Sequence, residues 1–60
     1  MPTAAYVTEM SSRVEQLHHL AKELYDGSED FPALNRNLKR ILASIEMLKL
    51  NLEKAGETGE

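Results

Sequence analysis

Two apolar stripes with a strict seven-residue repeat, separated by one turn, constrain this chain more than any other feature. The first stripe is Val7, Met10, Val14, Leu17, Ala21 and Leu24. The second is Phe31, Leu34, Leu38, Ile41, Ile45, Leu48 and Leu52. Both advance in alternating steps of three and four, the spacing that keeps one side of a helix turned toward a partner helix. Between them lies Asp26-Gly27-Ser28-Glu29-Asp30, a run of turn-forming residues. The fold class that follows is all-α: an antiparallel two-helix hairpin, occupying residues 1–60 as one domain.

Capping signals set the expected limits. Helix 1 runs from about residue 3 to 26, with Thr3 as N-cap and Gly27 where a left-handed C-terminal residue is wanted. The turn covers 27–30. Helix 2 runs from about 31 to 55, with Asp30 able to cap and Pro32 tolerated in the first turn. Lys49 and Lys54 suit the negative end of its dipole. Residues 56–60 read as a disordered polar tail. A connection this short makes the two helices antiparallel neighbours.

A 60-residue chain buries only a small core. There are no cysteines, so neither a disulfide nor a thiolate metal site can reinforce it. A second copy or a protein partner is the expected source of stability. The width of the stripes agrees. The apolar arc of helix 1 spans about 140°, against ~100° for an ordinary core-facing stripe. It takes in Leu20 and Tyr25. Helix 2 carries a second seam, Arg36, Arg40, Ala43, Met47, Leu50 and Lys54, nearly opposite the first. Ala43, Met47, Leu50, Leu20 and Tyr25 are therefore the expected partner or oligomer surface. Self-association into a four-helix or larger bundle is expected, as a homodimer first and a trimer or hexamer second.

Charge is divided between the halves. Residues 1–31 sum to −4 and residues 32–54 to +3, within a net charge of −3. Opposite charges on antiparallel helices fix orientation more than they add stability, because exposed pairs are individually weak. The first residues lack the basic and apolar regions of a signal peptide, and no apolar run approaches ~20 residues, so the expectation is a cytoplasmic protein without a membrane span.

Little in the sequence carries chemistry. Ser11, Ser12, Ser28 and Ser44 have no base at a useful spacing, and no glycine-rich loop could cradle a phosphate. Glu15-Gln16-Leu17-His18 has the Glu-x-x-His spacing of di-iron bundles, but Glu15 points well away from the Leu17 direction. His18 and His19 diverge by about 100° and cannot chelate one ion. The expectation is no catalytic residue, no metal and no cofactor. Arg36, Lys39 and Arg40 form a small basic cluster that would be the contact surface of a nucleic-acid-binding bundle, a weak footprint without an exposed aromatic beside it.

The turn carries a resemblance. Glu23-Leu24-Tyr25-Asp26-Gly27-Ser28-Glu29-Asp30-Phe31-Pro32 resembles the hairpin turn of a family of small Rop-like proteins linked to nitrogen fixation. Leu34-Asn35-Arg36 and Ser44-Ile45-Glu46-Met47-Leu48-Lys49 resemble its second helix. The resemblance covers about half the chain, with Tyr25 where the family usually has His. It implies a self-assembling hairpin associated with nitrogenase or its cofactor assembly. The small subunit of exonuclease VII is a more distant likeness, since its Tyr-Glu-x-Gly-type run is missing. Together these features lead us to expect a non-enzymatic, oligomerising accessory or adaptor protein. A small RNA-binding bundle and a metal-binding bundle are the alternatives.

Overall fold

The structure, a computed structural model, describes the backbone of residues 3–58 and the side chains of residues 3–54. It is a helical hairpin: α1, Ala4–Asp26, and α2, Pro32–Thr58, pack side by side in a rod of 44 × 15 × 12 Å. Helix α1 begins where the capping signal places it. The Thr3 Oγ1 accepts a hydrogen bond from the Tyr6 N–H at 3.1 Å, satisfying one of the first-turn donors that have no partner inside the helix.

The far end of α2 differs from the sequence expectation. The helix continues through Gly56 to Thr58, so most of the expected polar tail is helical; Gly59 and Glu60 lie outside the described residues. The last turn of α2 carries no basic residue. Lys49 is not a terminal counter-charge but sits between the two helices, as described below.

The turn is also built differently. Gly27 has φ −92° and ψ 4°, not a left-handed conformation. A Cβ there would meet the Glu23 and Leu24 carbonyl oxygens at 3.6 and 3.8 Å, ordinary contacts. The position therefore does not demand glycine. Ser28 organises the connection instead. It is fully buried. Its Oγ donates to the Tyr25 carbonyl at 2.7 Å and accepts from the Asn35 Nδ2 at 3.0 Å. Its N–H also donates to the Tyr25 carbonyl, and its own carbonyl accepts from the Phe31 N–H. One side chain thus ties the last turn of α1 to the first turn of α2. Asp30 is exposed, and the side-chain bonds of this turn come from Ser28 and Asn35.

Replacing Ser28 by Ala should cost roughly 1–2 kcal/mol, because the Asn35 amide is left half-buried without its acceptor. Denaturant titration checks this. If the network is real, Asn35→Ala costs less in the Ser28→Ala background than in the native chain. Strict additivity of the two substitutions would show that the bond contributes nothing.

The core is small. Among the described residues its buried hydrophobic members are Ala21, Leu38 and Ile45. Val7, Met10, Val14, Leu42 and Leu52 are half-buried around them. The facing positions on α1 are Val7, Ser11, Val14, His18, Ala21 and Tyr25, and on α2 Asn35, Leu38, Leu42, Ile45, Lys49 and Leu52. These retain the three-four spacing but are rotated by part of a residue step from the stripes read in the sequence. Leu17 and Ile41, expected at the centre of the seam, are each 45 % exposed, and Leu24, Leu34 and Leu48 are also exposed. Ser11, His18, Asn35 and Lys49 take part in the seam instead.

Candidate interaction surface

The rotation of the seam gives the hairpin two unlike faces. Successive helical residues are about 100° apart. On α1, Leu17, Leu20 and Leu24 lie to one side of the seam, while Glu15 and Lys22 lie to the other. On α2, which runs the opposite way, Leu34, Ile41 and Leu48 lie to one side of the seam, and Lys39, Glu46 and Glu53 to the other. Because the helices are antiparallel, the two sets of aliphatic residues fall on the same face of the rod.

The polar face is identified directly by its ion pairs. Lys49 Nζ lies 3.4 Å from Glu15 Oε2 and 3.6 Å from Glu46 Oε1. It also lies 2.8 Å from His18 Nδ1. An ammonium only donates, so in this contact the ring atom facing it takes the acceptor role, on the opposite side of the ring from Nε2. That nitrogen lies 3.9 Å from Glu46 Oε1. His18 and Lys49 are half-buried, whereas the two carboxylates are mostly exposed. This is the charge attraction between α1 and α2 that the sequence suggests, concentrated at one level of the rod. Screening by solvent limits such pairs to a few tenths of a kcal/mol each.

The cluster also bears on the Glu-x-x-His spacing. Glu15, His18 and Glu46 do approach one another across the helices, but the Lys49 ammonium is the cation they surround. Among the described residues no group of three or more His, Asp or Glu side chains is arranged to hold a metal ion. His19 turns away and pairs with Glu23 at 3.4 Å, on the exposed surface of α1. Titration calorimetry of the untagged chain with Fe(II), Ni(II) or Zn(II) should give no stoichiometric submicromolar binding. Such binding, lost on His18→Ala, would show that a metal displaces the ammonium.

The apolar face is the larger feature. Leu20 and Leu24 are 60 % and 57 % exposed, more than Leu17 or Ile41 beside them. Its border on α2 is uncharged: Asn37, Ser44 and Asn51 are all exposed there. Its border on α1 includes Arg13, already paired with Glu9 at 2.6 Å.

The residues singled out from the sequence do not form one surface. Leu20 belongs to the apolar face. Tyr25 is half-buried between the helices beside the Ser28 turn. Ala43, Met47 and Leu50 form an exposed ridge on the side of α2 directed away from α1. Arg36 and Arg40 continue that ridge toward the turn, whereas Lys39 points about 100° away from Arg40, toward the polar face. All three cations are exposed, but they do not converge. The aliphatic residues that sequence reasoning assigned to the core, Leu17, Leu24, Leu34, Ile41 and Leu48, are the ones that build the face with Leu20. No helix among the described residues is long and apolar enough to cross a membrane.

No protein-family model, curated protein or solved structure matches the chain.

Proposed function

We infer that this hairpin is a non-enzymatic accessory or adaptor protein that acts through helix–helix contacts. The single observation that supports this reading is the apolar face: Leu17, Leu20, Leu24, Leu34, Ile41 and Leu48, each at least 42 % exposed, aligned on one side of a 44 Å rod. A contiguous apolar patch rimmed by polar residues marks a surface that another protein covers. Desolvating it drives association at about 25 cal/mol per Å² of apolar area. The exposed cations do not offer a comparable surface for phosphates.

Site-directed photo-crosslinking tests the reading. A benzophenone side chain at Leu20 should give protein adducts, and one at Gln16, outside the face, should give few. Adducts to RNA from Arg36 or Arg40, with none to protein from Leu20, would replace the adaptor with a nucleic-acid-binding bundle. In that case affinity should also fall steeply with added salt as counterions are released.

A further inference from the structure

We propose that the apolar face is covered by a second copy of this chain, packed face to face with its turn at the opposite end, giving a four-helix bundle. This rests on reading the face as a protein-binding surface and names the protein.

Three observations identify the occupant. The first is area. A compact monomer of 6.8 kDa would expose about 3,950 Å². This hairpin exposes 4756 Å². The excess, roughly 800 Å² summed over the whole elongated chain, is comparable in size with what one side of a standard protein interface covers. The second is the size of the core. Ala21, Leu38 and Ile45 are too few to hold a chain of this length together, so the covering partner must be present whenever the chain is folded. A second copy always meets that condition. The third is charge. The α2 border of the face carries Asn37, Ser44 and Asn51, and the charged pair Glu9–Arg13 on α1 is internally compensated. Nothing on these borders repels an identical surface or selects an anionic membrane.

Charge also sets the orientation. Glu23, Asp26, Glu29 and Asp30 gather at the turn. Placing two turns side by side would bring eight carboxylates to one end of the bundle against the four cations Lys22 and Arg36 of the two chains. Placing each turn against the other hairpin's open end keeps them apart along the 44 Å rod.

Sedimentation equilibrium at tens of micromolar should give twice 6.8 kDa. Leu20→Glu, which alters no residue of the hairpin's own seam, should return the mass to that of one chain. The absence of cysteine allows a single spin label at Glu29→Cys without other changes. The two labels should then lie roughly 30 Å apart, because the face ends at Leu48, about 25 Å from the turn at ~1.5 Å per residue. Labels within ~20 Å would overturn the antiparallel arrangement, and a mass of three or six chains would overturn the pair. A folded monomer that still forms Leu20-dependent protein adducts would remove the second copy while leaving the adaptor reading intact. A folded monomer indifferent to Leu20→Glu in both assays would remove both.

Discussion

Ile45→Ala should leave the chain largely unfolded at room temperature. Ile45 is 2 % exposed and stands at mid-length on α2, with Leu38, equally buried, two turns before it. Truncating a buried Ile or Leu to Ala costs about 2–5 kcal/mol, the transfer of the lost methyl groups plus the cavity they leave. A bundle of this size has only about 3–5 kcal/mol to lose. Far-ultraviolet circular dichroism should therefore show most of the helical signal gone, and Ile45→Val should retain it, since that exchange typically costs only about 0.5–1.5 kcal/mol. Leu38→Ala should behave like Ile45→Ala. An unchanged melting curve for Ile45→Ala would mean that the two helices do not meet along this seam.

The thermal midpoint of the native chain should rise with concentration. When folding and association are coupled, unfolding releases two chains, and mass action favours the folded state as concentration increases. A hundredfold increase in concentration is worth about 2.7 kcal/mol per dimer. For two 60-residue chains, an unfolding entropy near 2.1 cal/mol/K per residue converts this into a shift of about 10 °C. Melts at a few micromolar and a few hundred micromolar measure it. Leu20→Glu, which removes the covering copy, should leave no cooperative melt at either concentration. A midpoint that stays constant across that range would show that each hairpin folds alone and that its apolar face contributes nothing to stability.

The heptad spacing is sufficient to place two helices and one turn, because the apolar period and the turn residues Asp26 to Asp30 agree on the same division of the chain. Thr3 is legible as a cap for the same reason: the side chain, its position and the helix start are all local. The rotation of each helix about its own axis is not local. Leu17 and His18 are consecutive residues about 100° apart on the wheel, as are Ile41 and Leu42, and a wide apolar arc lets the seam settle nearer either of them. Hydrophobicity alone favours Leu17 and Ile41. The observed choice instead seats His18 against Lys49, and Ser28 against Asn35, polar contacts that join residues 31 and 7 positions apart. Neither pairing has a signature in a single sequence. The exposed aliphatic face escapes the sequence reading for the same reason. Once the seam shifts, the aliphatic residues expected inside become the outward face, and the Ala43, Met47 and Leu50 ridge is left on the outer side of α2.

The Ser28 tether makes the turn a rotational stop. It holds the start of α2 at a fixed phase relative to α1, and every residue beyond inherits that phase. One extra residue inserted after Asn35 would advance the remainder of α2 by about 100°. Ile41 and Leu48 would then swing inward, and Leu38 and Ile45 would emerge toward the polar side. What the protein keeps inside and what it leaves exposed are therefore settled by the length of the chain near the turn as much as by residue identity. A change of one residue in that length would draw part of the exposed aliphatic face into the seam between the helices without altering a single aliphatic side chain.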